Sequence, residues 1–369
     1  MKTEGTRFTV SDNISKIEPY IPGKPEEELM RELGLSHVIK MASNENCLGP
    51  SPAAIEAITT TAIRVHRYPD SNGFYLKKAL SQKFNISSSN IVLGNGSTEL
   101  IEMIARTYLQ QGNNTITGDQ TFLMYRIASV TMSGDCKAVP MVNYNYDLEG
   151  ILKAIDNQTR IIFLANPNNP TGTIITKASF QSFMQKVPPN ILVILDEAYF
   201  EYVDSKDYFT GLEFLNSYQN LIILRTFSKI YGLAGIRLGF AIACEEIISN
   251  LQKVRSPFNT SVIAQAAARA ALTDEEHVQK SKKHNDVQRK FLEENFANLK
   301  LPFVPSTTNF ILLPMQDADQ IYKELLLHGI IVRSMRSLHC ADGLRVTVGK
   351  TEENQAFIKA IKTLWTPLF

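Results

Sequence analysis

Lys229 is the side chain whose position most clearly suggests a part in a chemical reaction, and it closely follows the apolar run 221–224. Such a run, rich in β-branched residues, predicts a buried strand that ends where polar side chains begin. A lysine amine at a strand end can form a Schiff base with an aldehyde cofactor, and Ser228 and Arg237 nearby can hold that cofactor's phosphate. A lone lysine after a strand is usually an ordinary surface residue, so the interpretation depends on the rest of the chain.

A carboxylate ends the next informative stretch, 190–196, in which five consecutive apolar residues precede Asp196. This pattern is typical of a strand buried on both faces of a parallel sheet. Ligands of open α/β sheets collect beyond the carboxyl ends of the strands. A carboxylate held there in low dielectric needs a cationic or hydrogen-bonding partner, such as a protonated pyridine nitrogen. Taken alone, Asp196 is better explained as a helix N-cap.

Two further strand ends carry polar groups of the right kind. In the stretch 160–172, Asn169 can donate to a phenolate-like oxygen of a bound ring, and Gly172 permits a tight turn. The stretch 90–105 predicts a strand, a glycine turn and an amphipathic helix, whose free N–H groups bind phosphate at Ser97 and Thr98. Plain turns and helix caps use the same residue types, so only the combination indicates one site.

Three of these segments resemble the motifs of fold type I pyridoxal-phosphate aminotransferases. They are Asn-Pro-Asn-Asn-Pro-Thr-Gly at 166–172, Asp-Glu-Ala-Tyr at 196–199, and Thr-Phe-Ser-Lys at 226–229 followed by Gly-Ile-Arg-Leu-Gly-Phe at 235–240. Within that superfamily the chain most resembles the histidinol-phosphate aminotransferases. The segments that narrow the resemblance are 18–25, 43–46, 67–70, 254–259, 329–333 and 343–349.

The resemblance implies pyridoxal 5'-phosphate as the cofactor and gives each site residue a role. Lys229 would be the cofactor-bound lysine and proton shuttle, and Asp196 would pair with the pyridine nitrogen. Asn169 and Tyr199 would hydrogen-bond the ring's phenolic oxygen. The cofactor phosphate would be held by Ser97, Thr98, Thr226, Ser228 and Arg237, and by Tyr68 reaching across a homodimer interface.

Two positions depart from the family pattern near the ring. Phe122 would stack on the ring where the family often has tyrosine, so stacking is kept while a phenolic hydrogen bond is lost. Gln120 stands where the family usually has proline.

For the substrate, the resemblance points to Tyr20, Asn46, Arg333 and Arg345. Arginine's planar fork suits phosphate and carboxylate groups. The implied reaction moves an amino group between L-histidinol phosphate and 2-oxoglutarate in histidine biosynthesis, with glutamate as the other amino acid. Two alternatives stay open. A threonine-phosphate decarboxylase shares nearly every motif, and an aromatic amino-acid transaminase would use the same arginines to bind a carboxylate.

Composition agrees with a soluble enzyme. The formal net charge of +1 gives no bulk attraction to nucleic acid or to an anionic membrane. Four cysteines lie far apart without a Cys-x-x-Cys pair, which indicates free thiols in a reducing compartment and no zinc site. No stretch has the apolar length of a membrane span, so we expect a cytoplasmic protein. The cysteines are Cys47, Cys136, Cys244 and Cys340.

The alternation of strand and helix patterns predicts an α/β fold with a mainly parallel, three-layer sheet. We expect an N-terminal arm with part of a small domain at 1–44, a large cofactor-binding domain at 45–265, and a small α/β domain at 266–369. Predicted helices are a short one from Pro25 that ends at Gly34, then 74–84, 97–110, 122–133, 148–155, 176–187, helices within 261–295, 317–328 and 352–364. Predicted late strands are 309–313, 330–334 and 343–348.

Overall fold

A seven-stranded sheet organises the computed structural model, which describes residues 8–336 and 342–365. The strands are β1 (Ile39–Lys40), β2 (Ile91–Gly94), β3 (Asn114–Gly118), β4 (Asp135–Val139), β5 (Thr159–Ala165), β6 (Leu192–Asp196), β7 (Leu221–Thr226), β8 (Gly239–Ile242), β9 (Phe310–Pro314), β10 (Ile330–Ile331), β11 (Arg333–Ser334) and β12 (Gly343–Thr347). The large sheet has the order β2-β8-β7-β6-β5-β3-β4, and β8 runs antiparallel to both of its neighbours. The other strands of this sheet run parallel, as the sequence predicts.

Helices cover both faces of this sheet. The α-helices of the described residues are α1 (Asp12–Ser15), α2 (Glu26–Leu33), α3 (Pro52–Thr61), α4 (Phe74–Phe84), α5 (Gly96–Tyr108), α6 (Met124–Thr131), α7 (Leu148–Ala154), α8 (Lys177–Met184), α9 (Glu245–Val254), α10 (Val262–Thr273), α11 (Glu275–Asn298), α12 (Ala318–Leu327) and α13 (Thr351–Leu364). In α5 the apolar positions Leu100, Ile101 and Ile104 recur at helical spacing and are fully buried. They join one core on one face of the sheet, while a second core fills the opposite face.

The central strands β5, β6 and β7 are buried almost throughout, which explains their uninterrupted apolar runs. Because the three strands are parallel neighbours, their carboxyl ends meet at one edge of the sheet. The polar residues that follow them are thereby brought together, and this edge forms one wall of the candidate site.

A smaller unit is built from the C-terminal part of the chain. Strands β11, β12 and β9 form an antiparallel sheet, and β1 from the N-terminal segment pairs in parallel with β10. A separate apolar core lies under these strands and includes Phe296 and Phe357. The pairing of β1 with β10 agrees with an arm that contributes to the small domain, although the exact boundaries at 44/45 and 265/266 stay a prediction.

Most predicted elements lie within a few residues of those observed, and α4 has the predicted bounds. Gly34 ends α2 with a left-handed φ of 65°, as expected of a C-terminal glycine. One strand prediction is wrong in detail, since 330–334 is divided at Val332 into β10 and β11, which belong to different sheets. This division lets the segment pair with the arm on one side and with β12 on the other.

No helix within 8–336 and 342–365 is long and apolar enough to cross a bilayer. In the same residues, no group of three or more His, Cys, Asp or Glu side chains is placed to hold a metal ion.

Candidate active site

A cavity lies beyond the carboxyl ends of β5, β6 and β7, between the large sheet and the unit that contains β12. Of the residues predicted for the site, all but Asn46 and Tyr68 line this cavity. Those that line it are Tyr20, Ser97, Thr98, Phe122, Asn169, Asp196, Tyr199, Thr226, Ser228, Lys229, Arg237, Arg333 and Arg345. The structure therefore brings together side chains from segments that are more than 300 residues apart in the chain.

Lys229 lies in the bend that follows β7, and its Nζ donates to the carbonyl oxygen of Ser43 at 3.2 Å. Burial, helped by the nearby positive charge of Arg345, lowers the pKa of Lys229 to about 8. Desolvation favours the neutral form of an amine, and the neutral form is the nucleophile. The site thus holds an amine that is uncharged in a useful fraction near neutral pH.

Asp196 is 5% exposed at the end of β6. Its Oδ2 accepts a hydrogen bond from the hydroxyl of Tyr125 at 2.8 Å, and its Oδ1 accepts one from the backbone N–H of Ala198 at 3.1 Å. Burial raises the pKa of Asp196 to about 6, against the opposing effect of these two hydrogen bonds. A buried carboxylate whose pKa is raised by burial is stabilised by a cationic partner, such as a ring N–H⁺.

Tyr125 is a site residue that sequence reasoning missed. Its ring is fully buried and stacks on Phe163 with centroids 4.8 Å apart. The ring of Phe122 meets it edge-on at 5.6 Å. The spacing of three residues after Phe122 was the only available signal, and a core tyrosine gives the same pattern.

Asn169 and Tyr199 present an amide and a phenol on one side of the cavity. The Oδ1 of Asn169 accepts from Nη1 of Arg345 at 2.6 Å, which leaves the amide N–H₂ of Asn169 as its donor group. The hydroxyl oxygen of Tyr199 accepts from Nδ2 of Asn44 at 2.9 Å. Both side chains are therefore arranged to donate toward an oxygen acceptor.

A group of hydrogen-bond donors lies near the start of α5. These cradle residues are Ser97, Thr98, Thr226, Ser228 and Arg237. Ser97 and Thr98 occupy the first turn of α5, where backbone N–H groups are free and the helix dipole is positive. The guanidinium of Arg237 donates to Ser228 Oγ at 3.4 Å and to the carbonyl of Ala234 at 3.1 Å. Arg237 itself adopts a left-handed φ of 55°, a conformation that is costly outside glycine and is found at functional sites.

Gly96 permits the close approach of Arg237 to this helix start. With a φ of 82° it adopts a backbone that L side chains rarely take, and a Cβ placed there would lie 2.5 Å from Nη2 of Arg237. A side chain at position 96 would push the guanidinium away. The donors around it fit a phosphate group, whose oxygens accept several hydrogen bonds at once.

Two buried arginines from the smaller unit complete the lining of the cavity. Arg333 in β11 and Arg345 in β12 are register partners, and they are 4% and 6% exposed. Arg345 donates to the carbonyl of Ala42 at 2.8 Å, while the guanidinium of Arg333 lies 5.5 Å from the ring centroid of Tyr20. Two adjacent buried cations are costly unless an anion joins them. The part of the cavity around these arginines is therefore suited to an anionic group.

Asn46 lies outside the cavity lining, and its predicted contact with the substrate stays a prediction. Its Nδ2 donates to the carbonyl of Ile230 at 2.7 Å and to Ser281 Oγ at 3.0 Å, so its amide holds the loop after Lys229 against α11. Asn44, two residues earlier, lines the cavity instead.

Tyr68 is the second predicted residue outside the lining of its own chain's cavity. It is 82% exposed and stacks on Phe258 with ring centroids 4.4 Å apart. The large apolar side chains exposed at positions 55–75 and 258 are Ile55, Ile63, Val65, Tyr68, Phe74, Tyr75 and Phe258. His66 is also exposed, whereas His339 and Cys340 lie outside the described residues.

Residues 36–361 match the family described as aminotransferase class I and II. The chain belongs to the aminotransferase class I and II family. It is 45% identical over 353 residues to a histidinol-phosphate aminotransferase of Moorella thermoacetica, covering 95% of this chain and 92% of that protein. It is also 45% identical over 350 residues to one of Caldicellulosiruptor saccharolyticus, covering 95% and 98% of the two chains.

Solved structures of aminotransferases have the same fold. The crystal structure of histidinol-phosphate aminotransferase from Sinorhizobium meliloti in complex with pyridoxal-5'-phosphate superimposes with a TM-score of 0.87 at 28% identity, over 98% of this chain and 100% of that one. The resemblance inferred from the sequence motifs is therefore confirmed at the level of the family and of the fold.

Proposed function

We propose that this chain is a pyridoxal 5'-phosphate-dependent histidinol-phosphate transaminase, which moves an amino group between L-histidinol phosphate and 2-oxoglutarate. The observation that carries the proposal is that two buried arginines line the same cavity as Lys229 and Asp196. A reactive amine thus shares its cavity with a site for an anion. The names of the relatives that are 45% identical over nearly the whole chain support the same reaction.

The residues present fit pyridoxal phosphate group by group. When bound, this cofactor supplies an aldehyde that captures amines and a ring that accepts the electrons released when a C–H bond breaks. Asp196 would hold the ring N–H⁺, and Asn169 and Tyr199 would donate to the phenolic oxygen. Phe122 would cover the ring face. The phosphate would be held by the cradle residues, which are Ser97, Thr98, Thr226, Ser228 and Arg237.

Lys229 would hold the cofactor and would then move the proton at the substrate carbon that bears nitrogen. Efficient proton transfer requires a pKa close to the working pH. The pKa of about 8 that burial gives Lys229 meets this requirement. An exposed lysine would be almost entirely protonated under the same conditions.

Substrate recognition is assigned to Tyr20, Arg333 and Arg345. Histidinol phosphate has no carboxylate, so its phosphate is the anionic group available to the arginines. Glutamate and 2-oxoglutarate bring a carboxylate to the same place, and one site can thereby serve both half-reactions. Asn46 has no part in this proposal, because its amide is engaged elsewhere.

Steady-state kinetics with three substrates test the proposal. We expect kcat/KM for histidinol phosphate to exceed that for phenylalanine and threonine phosphate by at least about 100-fold, which corresponds to a few well-placed contacts. Amino transfer should be the main reaction with each of them. A higher kcat/KM for phenylalanine, or carbon dioxide release from threonine phosphate as the main reaction, would replace the proposal with one of the two alternatives.

We further propose that the chain works as a homodimer in the cytoplasm. The exposed group of apolar side chains around Tyr68 is of the kind that marks a protein interface. Mixing inactive Lys229→Ala and Tyr68→Ala proteins, after dissociation and reassociation, should restore activity, since one site of each mixed dimer has both native residues. Absence of recovery would show that Tyr68 does not serve the partner's site.

The cytoplasmic part of this proposal is supported by the cysteines. The free thiols of Cys47, Cys136 and Cys244 agree with a reducing compartment.

A further inference from the structure

Asn44 is a buried residue with an unusual backbone conformation beside the cavity. It is 1% exposed and adopts a left-handed φ of 56°. Its backbone N–H donates to Thr347 Oγ1 at 2.9 Å, and its carbonyl accepts from Asn309 Nδ2 at 3.0 Å. The N-terminal segment is thus fixed here against β12 and against the start of β9.

The side chain of Asn44 belongs to a chain of hydrogen bonds with a defined direction. The hydroxyl of Thr347 donates to Oδ1 of Asn44 at 3.2 Å, which requires that the amide nitrogen face the other way. That nitrogen donates to the hydroxyl oxygen of Tyr199 at 2.9 Å. Tyr199 must then direct its own O–H elsewhere.

The O–H of Tyr199 has its natural target inside the cavity. Among the described residues, the hydroxyl of Tyr199 donates to no protein acceptor, and its side chain lines the cavity beside Asn169. Its ring is held edge-on against Phe310 at 5.1 Å. The O–H of Tyr199 is therefore available to donate to the phenolic oxygen of a bound cofactor.

We propose that Asn44 is a positioning residue that directs the Tyr199 proton toward the cofactor's phenolic oxygen and strengthens that hydrogen bond. This inference rests on the proposed function, because it requires pyridoxal phosphate in the cavity. Asn44 touches Tyr199 and acts through it. A polarised chain from Thr347 through Asn44 makes Tyr199 a better donor than an isolated phenol.

The electrostatics of Tyr199 agree with this role. Burial raises the pKa of Tyr199, and the charge of Arg345 and the hydrogen bond from Asn44 oppose the rise. A stronger donor at the phenolic oxygen stabilises its unprotonated form. The pKa that the lysine-bound cofactor shows in its visible absorbance should therefore be lower with Asn44 present than without it.

The variant Asn44→Gly removes the amide donor and keeps a backbone that tolerates positive φ. We expect the absorbance pKa of the bound cofactor to rise by about half to one unit, which is the size expected for one neutral hydrogen bond. The dissociation constant of the cofactor should rise in parallel. The same titration on Asn44→Asp covers the case in which the glycine variant folds poorly, and it should also show a rise, because a carboxylate would accept the Tyr199 proton.

A double-variant comparison separates positioning from mere structure. In a Tyr199→Phe background, Asn44→Gly should add no further shift, and the shift from Asn44→Asp should shrink, because the residue through which position 44 acts is gone. Asn220→Ala is the control, since the amide of Asn220 donates to the carbonyl of Ile191 at 2.7 Å, beside the amino ends of β6 and β7 and outside the cavity lining. It should leave the absorbance pKa unchanged.

The outcomes are distinguishable from a failure of the proposed function. If the wild-type protein binds no pyridoxal phosphate and shows no visible absorbance, the proposed function itself is wrong. If the wild type shows the absorbance and Asn44→Gly leaves its pKa unchanged, the inference about Asn44 is overturned. Equal shifts from Asn44→Gly with and without Tyr199 would overturn it as well.

Discussion

Two groups of residues in the cavity lining, here the ring end around Asp196 and Lys229 and the anion end around Arg333, are built in different ways. The ring end uses Asp196 and Lys229 at the ends of neighbouring parallel strands, and Asp196 is only 5% exposed. The anion end joins Tyr20 of the N-terminal segment to Arg333 of β11, and Tyr20 is 45% exposed. One end thus depends on a single continuous sheet, whereas the other depends on how distant segments come together.

This difference separates chemistry from selectivity. Changes at the ring end should alter turnover with every substrate, because all of them react there. Changes at the anion end should alter which substrate binds and how tightly, while the cofactor's environment is kept. Variants at each end test this division.

The largest effect is expected at Lys229. Lys229→Ala should lower transamination by about 10⁴-fold, at the upper limit for loss of a general base, while the cofactor still binds noncovalently. Stopped-flow kinetics and equilibrium dialysis measure the two properties. Lys177→Ala is the control, because Lys177 is an exposed lysine that pairs with Glu213, and it should retain full activity. Turnover above a tenth of the wild-type value would exclude Lys229 as the proton shuttle.

Asp196→Asn should lower kcat by about 10²- to 10³-fold with little change in KM, because the charge that holds the ring N–H⁺ is lost while the shape is kept. Thermal unfolding should change little, since the backbone N–H of Ala198 can still donate to the amide oxygen. Steady-state kinetics and a melting curve give both results. Near wild-type turnover by Asp196→Asn and Asp196→Ala would remove the electron-sink role of this carboxylate.

Arg333→Gln should raise KM for histidinol phosphate by about 30-fold or more, as expected when a buried charged contact is lost. The absorbance spectrum of the bound cofactor should stay as in the wild type, because the ring end is untouched. Arg336→Gln is the matched control, since Arg336 is 61% exposed and pairs with Asp319 and Asp342. A changed spectrum with an unchanged KM would reverse the division between the two ends.

The smallest effect concerns pH. Burial lowers the pKa of Lys229 to about 8, so its neutral fraction grows as pH rises through that value. The rate of covalent cofactor attachment to the cofactor-free protein should therefore rise roughly tenfold from pH 7 to pH 9 and then level off. Rapid-mixing absorbance measures this rate. A rate that keeps rising beyond pH 10 would indicate an ordinary, solvated lysine.

The ring end could be predicted from the sequence because each of its strands has an uninterrupted apolar run that stops at a polar residue. The hydrogen-bond partners of those polar residues could not be predicted from the sequence. Tyr125 reaches Asp196 across 71 positions, and Asn44 reaches Tyr199 across 155. Such contacts depend on tertiary packing, and a tyrosine or asparagine in a motif does not reveal which side chain it will meet.

Asn44 and Asn46 illustrate the same limit at short range. Both are asparagines in the segment 43–46, and the resemblance pointed to Asn46. The structure places Asn44, with its left-handed backbone, in the cavity lining, whereas the amide of Asn46 contacts Ile230 outside it. Neither placement follows from residue type. The division of 330–334 at Val332 has a similar origin, since it is imposed by pairing with β1 and β12.

The central claim is that Lys229 is the residue that binds the cofactor's aldehyde. Reduction of the pyridoxal-phosphate-loaded protein with sodium borohydride, followed by protease digestion and mass spectrometry, tests it most directly. We predict one modified peptide, with the reduced cofactor on Lys229. Modification of a different lysine, or no modification of a protein that still catalyses transamination, would contradict the claim.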